Sequence, residues 1–145
     1  MAMDGDFAKL GRLAVALEGL GDQIAEVAKE ACEDLAHVVE AQFDAGHDPW
    51  GNAWAPLRPS TLRRHGPPPL TYTHDMRDSL KVEPLANTIS FTMDGPAIFH
   101  QRGSGGMHRQ ILPEQADGRL PQAYEQVVHD AADRVIGKAL KDIAA

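Results

Sequence analysis

The fold is decided by the stretch Asp22–Phe43, whose sequence is DQIAEVAKEACEDLAHVVEAQF. Apolar residues recur in it at steps of three and four, and mostly charged residues occupy the positions between them. One apolar stripe opposite one charged face is typical of an amphipathic helix. We therefore predict a helix over residues 22–43, roughly 33 Å long at about 1.5 Å per residue. A shorter helical segment is expected before it, interrupted near Gly19–Gly21.

Two further patterns follow on the C-terminal side of this helix. Residues 79–83 and 88–93 alternate between apolar and polar side chains around a turn at 84–87, which predicts an antiparallel hairpin. The apolar positions of this hairpin, which should face the core, are Leu80, Val82, Ile89, Phe91 and Met93. A second helical stripe spans residues 120–143.

These elements predict a single α+β domain over residues 1–145. Its parts are a long N-terminal amphipathic helix (22–43), a Trp/Pro/Gly-rich loop region (44–78), a small antiparallel β-meander with loops (79–113) and a C-terminal helix (120–143). The short apolar run Ala97–Gln101 falls within the meander, and Ile111-Leu112 is a candidate third strand. The two long helices are expected to pack against the small sheet.

The loop after the first helix reads GHDPWGNAWAPL over residues 46–57. Proline and glycine stop the helix and shape turns, and two tryptophans give the loop enough apolar area to pack down. We expect Trp50 and Trp54 to lock this loop onto the sheet. Ser60 and Thr61 are then predicted to cap a short helix, and residues 66–69 to form an extended connector.

Charge and composition narrow the function classes. The net charge is −7, and residues 1–45 supply all of the acidic excess while residues 58–119 are slightly basic. An acidic chain is a poor nucleic-acid coat, which needs surplus Lys and Arg. The single cysteine, Cys32, cannot form an intramolecular disulfide and is expected to be a buried, inert thiol. No signal-peptide pattern or membrane-spanning run is present, so a soluble protein without export is the expectation.

No compact catalytic or metal-binding motif stands out. Ser104 lacks the glycine that a nucleophile elbow needs at position 102. The seven histidines show no helical zinc spacing, which leaves only a site assembled in three dimensions. We predict a protein without catalytic residues, bound metal or cofactor. The alternative is a small metal-dependent hydrolase that uses His47, Asp48, His100 and His108. A DNA-contacting module with Arg63, Arg64 and Arg102 is a third possibility.

Four segments, taken in order, resemble the phage virion morphogenesis family, the tail-completion or neck proteins of the Mu-like G and P2-like S kind. Residues 43–61 (FDAGHDPWGNAWAPLRPST) resemble the pattern DPxGxxWxPLxxxT, and residues 70–80 (LTYTHDMRDSL) resemble LxxTGxLxxSI. Residues 97–103 (AIFHQRG) are similar to YAxIHQxG, and residues 109–112 (RQIL) lie where the family has PxRPFLG. The chain departs from these patterns at His74, Met107 and Gln110.

The resemblance implies a non-enzymatic virion protein that completes the tail or neck at the head–tail junction. It implies a homo-oligomeric ring, expected to be a hexamer, located in the virion and assembled in the host cytoplasm. The implied partners are other neck, connector and tail-tube proteins, with DNA passing through the ring and no membrane contact. The expected structural anchors of the loop are Asp48, Pro49, Trp50, Gly51, Trp54, Pro56 and Leu57. The interface candidates are His100, Gln101, Arg102, Gly103 and Arg109.

Overall fold

A computed structural model describes residues 7–70, 73–86, 88–103, 108–114 and 117–144. The helices are α1 (Phe7–Glu18), α2 (Leu20–Ala45), α3 (Pro59–His65), α4 (Asp75–Asp78), α5 (Ala97–Arg102) and α6 (Gln122–Ala144). The strands are β1 (Lys81–Leu85) and β2 (Thr88–Thr92). The predicted α+β class is therefore confirmed. Among the helices that are described, none is both long and apolar enough to cross a membrane.

Helix α2 is the centre of the fold, and it extends the predicted helix by two residues at each end. Its buried face consists of Val27, Ala28, Ala31, Cys32, Leu35, Val39, Gln42 and Phe43. The helix ends at Gly46, which adopts a left-handed conformation (φ 72°) and donates its backbone N–H to the Gln42 carbonyl at 2.8 Å. A Cβ at Gly46 would lie 3.0 Å from Cβ of Pro68, so both backbone geometry and space favour glycine here.

Helix α6 packs alongside α2 and confirms the helix expected at 120–143. Tyr124 and Ala131 of α6 are buried in the same core as the apolar face of α2. On the outside of this pair, Arg134 lies 3.6 Å from a carboxylate oxygen of Glu30 and 3.3 Å from one of Asp34. The helix pair is thus held by an apolar core with an ion-paired rim.

The hairpin lies against α2 with the register Lys81↔Thr92 through Leu85↔Thr88. Its five predicted inward side chains are all partly buried against the core, which confirms the predicted alternation. The predicted turn was too long, because residues 84 and 85 belong to β1 and the chain reverses after Leu85. Ala86 has a φ of 53°, as the first turn position of a tight hairpin requires.

Two parts of the predicted β-meander are wrong. Residues 97–102 form helix α5, which starts where the Pro96 carbonyl accepts the N–H of Phe99 at 3.0 Å. Ile111 and Leu112 lie outside the strands, and the sheet has two strands within the described residues. Their backbone groups bind glutamine side chains instead of a neighbouring strand, as the next subsection details.

The short elements between α2 and β1 differ from expectation in their details. Helix α3 exists, but Arg58 takes the N-cap position without a side-chain hydrogen bond, so Ser60 and Thr61 are not its caps. The Arg58 carbonyl accepts the N–H groups of Thr61 and Leu62, each at 2.9 Å, and Pro59 lies in the first turn of the helix. The connector predicted at 66–69 bends and turns rather than staying extended, with a φ of 69° at Gly66.

Candidate functional site

The loop at residues 46–57 is closed by the carboxylate of Asp48. Its Oδ1 accepts the backbone N–H groups of Trp50 and Asn52, each at 2.9 Å, and its Oδ2 accepts the Asn52 side-chain amide at 3.2 Å. The backbone N–H of Trp54 then donates to the Gly46 carbonyl at 2.9 Å. Asp48 therefore acts as a turn-forming side chain, and both of its carboxylate oxygens accept hydrogen bonds within the loop.

Trp54 ties this loop to two other parts of the chain. The residue is 6% exposed, and its ring packs edge-on against Phe43 of α2 with centroids 5.6 Å apart. Its indole Nε1 donates to the Gln110 carbonyl at 2.9 Å. The expected anchorage on the sheet is replaced by these contacts with α2 and with residues 108–112. Trp50 is only half-buried, and its Nε1 is buried without a hydrogen-bond partner in the described structure.

Arg109 binds the C-terminal part of the same loop. It is 4% exposed, and its Nε and Nη2 donate to the carbonyls of Ala55 at 3.0 Å and Pro56 at 3.3 Å. Burial lowers the pKa of its guanidinium. The Arg109 side chain is therefore bound inside the chain, and the expectation that Arg109 lies at or near a subunit interface stays a prediction.

Gln101 supplies the hydrogen bonds that a third strand would otherwise make. Its Oε1 accepts the backbone N–H groups of Ile111 at 2.8 Å and Leu112 at 3.0 Å, and its Nε2 donates to the Leu112 carbonyl at 2.9 Å. One side-chain amide thus reproduces both the donor and the acceptor of a peptide group. This is the physical reason why residues 111–112 are held in place without joining the sheet.

His100 and Gly103, the neighbouring interface candidates, also act within the chain. The His100 carbonyl accepts the Arg109 N–H at 3.1 Å, and its half-buried ring has a lowered pKa because of burial and of the nearby Arg109 charge. Gly103 ends α5 with a φ of 80°, and a Cβ there would lie 3.3 Å from Cβ of His108. His108 in turn donates from Nε2 to the Gln101 carbonyl at 2.8 Å in the tautomer that carries a proton there.

Gln42 and Tyr124 form a buried polar pair that sequence reasoning missed. Gln42 is buried, donates from Nε2 to the Ile111 carbonyl at 2.9 Å and accepts a short hydrogen bond from the Tyr124 hydroxyl. Burial raises the pKa of that hydroxyl, so Tyr124 stays protonated as the donor. The signal in the sequence was a polar residue on the apolar stripe of α2, three positions after Val39.

We use the name loop cluster for this assembly, which consists of Gln42, Asp48, Trp54, Gln101, Arg109 and Tyr124 with the backbone groups they bind. It joins the C-terminal end of α2, the loop 46–57, α5, residues 108–112 and the start of α6. Of the other loop anchors, Pro49 is buried, Leu57 is half-buried, and Gly51 and Pro56 are exposed. Sequence motifs separated by about fifty residues thus meet in one place.

Arg102 differs from the other interface candidates because it faces outward. It shares the outer side of α5 with Ile98 and Phe99, which are 48% and 60% exposed. We call these three residues the α5 outer face. Within the described part of the chain, Arg102 makes no ion pair.

The histidines considered for a metal site have other contacts. The His47 Nδ1 lies 2.7 Å from the Asp48 carbonyl oxygen, and His108 contacts the Gln101 carbonyl as above. Among the residues that the structure describes, no group of three or more His, Cys, Asp or Glu side chains could hold a metal ion. Ser104 and Met107, which the sequence analysis also considered, lie outside the described residues.

No family model matches this chain, and no curated protein or solved structure gives a significant match to it.

Proposed function

We propose that this chain is a structural subunit of a phage virion that completes the tail or neck at the head–tail junction, so that filled heads and tails can join. It acts as a homo-oligomeric ring, with a sixfold ring expected from the resemblance alone. The proposal rests on the resemblance of four segments, in order, to tail-completion and neck proteins. No enzymatic step is part of this function.

One observation supports a structural rather than catalytic role: the motif side chains are engaged by the chain itself. Asp48 binds backbone groups within its own loop, whereas Gln101, Arg109 and the indole N–H of Trp54 bind backbone groups of other segments. A catalytic acid, base or electrophile must be within reach of a substrate. These side chains instead hold the end of α2, the loop 46–57, α5 and residues 108–112 in place relative to one another.

The α5 outer face is the surface that we assign to the neighbouring subunit. Ile98 and Phe99 expose apolar area beside the cationic Arg102, a composition enriched at protein interfaces. The acidic outer side of α2, with Glu26 and Glu33 exposed, offers the opposite charge. Head-to-tail contacts between two different faces close into a ring when the rotation permits.

The test of the function is electron microscopy of particles that lack this protein. We expect DNA-filled heads and separate tails to accumulate, and supplied wild-type protein to restore joined particles. Joined, infectious particles in its absence would overturn the proposal.

A paired substitution tests the α5 outer face separately. Arg102→Glu should weaken the assembled oligomer, because it places an acidic group against the acidic side of α2. The matched control is Arg119→Glu, which reverses an exposed arginine that binds its own neighbour Asp117. Sedimentation of both variants at moderate salt gives the readout, and an intact oligomer for Arg102→Glu would count against this interface.

A further inference from the structure

We propose that the free edge of β2 pairs with the same edge of a second copy of this chain. Thr88–Thr92 of the two copies run antiparallel, with a two-fold axis at Ser90, and the two hairpins form one four-stranded sheet. The contact is distinct from the α5 outer face and does not depend on the proposed function.

The register of the hairpin defines which backbone groups point outward. Leu85 and Thr88 close a hairpin with two residues between them, so they form a hydrogen-bonded pair. Hydrogen-bonded and non-hydrogen-bonded pairs alternate along the ladder. Ile89 and Phe91 therefore belong to non-hydrogen-bonded pairs, in which the backbone N–H and C=O groups of β2 point away from β1. Pro84 opposite Ile89 agrees with this assignment, because proline has no N–H to donate across the pair.

Within the described residues, these outward groups of β2 have no partner. No hydrogen bond outside the β1–β2 ladder involves the backbone N–H or C=O of Ile89 or Phe91. The edge therefore presents two donors and two acceptors in the geometry of an extended strand. Directional groups of this kind select another strand rather than a helix or a small apolar molecule.

The two edges of the sheet differ in how they are protected. β1 carries Lys81, Glu83 and Pro84, which are residues that natural proteins place on edge strands to prevent pairing. β2 reads TISFT, with β-branched and aromatic residues and with no charge, proline or glycine. Only the β2 edge is therefore suited to pairing with a further strand.

The β2 edge is complementary to itself in one register. With Ser90 opposite Ser90 of the second copy, Ile89 lies opposite Phe91 of that copy, and Phe91 lies opposite its Ile89. Both pairs join residues with outward groups, so four backbone hydrogen bonds form without leaving a donor or acceptor of these residues unpaired. Each pair also sets a β-branched side chain beside an aromatic one, a favourable cross-strand combination. Because TISFT also carries no charge, two identical edges meet in this register without like-charge repulsion, and the proposed occupant is therefore a second copy.

Open space adjoins the end of this edge. A groove of about 380 Å³ lies beside Phe91–Met93 and separates them from Ile111 and Leu112. A second groove of about 310 Å³, mostly apolar, continues from Ile89 and Phe91 towards Leu120. Within the described residues, the segment expected to be a third strand makes no ladder with β2.

Cysteine cross-linking tests the register directly. In the proposed pairing Ser90 sits on the axis in a non-hydrogen-bonded pair, where Cα atoms are about 4.5 Å apart and a disulfide can form. In the same register, Thr88 of one copy and Thr88 of the second copy are four residues apart along the strand, a distance of about 13 Å. Under mild oxidation Ser90→Cys should form covalent dimers at least about tenfold faster than Thr88→Cys, because only the former distance permits a bond. Wild type, with only the buried Cys32, gives the background.

Two results would overturn the pairing. One is a wild-type chain that sediments as a monomer at the concentration used for cross-linking. The other is equal cross-linking of the two variants, which would indicate random collision or a different register. The far-ultraviolet circular dichroism of both variants should match that of wild type, since both positions lie on the outer side of the sheet and not in the core.

Discussion

The two ends of α2 are held by opposite means. At the C-terminal end, Gln42 and Phe43 are fully enclosed, and the loop cluster binds them with directional hydrogen bonds and an aromatic contact. At the N-terminal end, Leu20 and Ile24 are each 43% exposed, and the contact with α6 is rimmed by the half-exposed Arg134 ion pairs. An open groove of about 520 Å³ separates α2 from α6 there.

This difference shows where the chain specifies one arrangement and where it leaves room for others. Buried polar groups are costly unless each has its partner, so the loop cluster has few alternative packings. Exposed apolar residues and surface ion pairs impose no such requirement. We therefore expect the C-terminal end of α2 to be the rigid frame, and the N-terminal end to be the part that adjusts to a neighbour.

The largest expected effect is that of Trp54→Ala. The substitution removes the buried ring that packs against Phe43 and the N–H that donates to the Gln110 carbonyl. We expect it to lower the free energy of unfolding by about 3–5 kcal/mol. Trp50→Ala is the matched control, since Trp50 is half-buried and its N–H makes no hydrogen bond in the described structure. Denaturant unfolding of both variants measures the difference, and equal losses would contradict the assignment of Trp54 as the main anchor.

Substitutions at Gln42 and Tyr124 should come next. Gln42→Leu leaves the Ile111 carbonyl and the Tyr124 hydroxyl without their partner, at a cost of about 1–3 kcal/mol for each group. Tyr124→Phe removes the hydroxyl and leaves only Oε1 of Gln42 unpaired, which should cost about 1–3 kcal/mol.

The double variant separates this network from two independent contacts. Gln42→Leu with Tyr124→Phe should lose less than the sum of the single variants, because it no longer contains an orphaned hydroxyl. A coupling of about 0.5–3 kcal/mol is expected for residues in one network. Additive losses would mean that the two side chains do not act together.

Acid should weaken the loop cluster through His100. Its folded pKa is lowered by burial and by Arg109, so the unfolded chain takes up a proton first, near its ordinary pKa of about 6.5. The associated stability is present above that pH and is lost as pH falls through the folded pKa. His100→Asn should flatten the pH dependence of the melting temperature below neutrality, and an unchanged pH dependence would contradict this role of His100.

The smallest effect is expected at the open end. Arg134→Gln removes the ion pairs with Glu30 and Asp34, all about half exposed, and should cost at most about 1 kcal/mol. Because salt screens such pairs, the difference from wild type should vanish near 1 M salt. A loss as large as that of Gln42→Leu would show that the two ends of α2 are held alike.

The sequence predicted the periodic parts of the fold and missed the non-periodic ones. Helices α2 and α6 and the inward face of the hairpin follow from spacing, because each element must bury one face. Helix α5 was missed because the segment AIFHQR is too short to show a helical period. Ile111-Leu112 was wrongly predicted as a strand because apolar composition does not reveal that the Gln101 side chain replaces a strand partner.

The candidate site was predicted as a set of residues but not as an arrangement. Asp48, Trp54, Gln101 and Arg109 were all selected, and whether they serve assembly as well stays a prediction. The burial of Arg109 and the role of Gln42 depend on contacts between residues more than fifty positions apart, which no local pattern encodes.

Cys32 gives the chain a built-in kinetic probe. Its Sγ lies in the core face of α2, 3.1 Å from the Ala28 carbonyl, and burial with the nearby Glu83 raises the pKa of the thiol. Thiolate chemistry therefore requires α2 to separate from its surroundings, so the rate of labelling by a thiol reagent reports the frequency of that opening. As the single thiol in the molecule, it reports without any engineered site. A slower rate in assembled particles than in free subunits would measure how much assembly stabilises the fold.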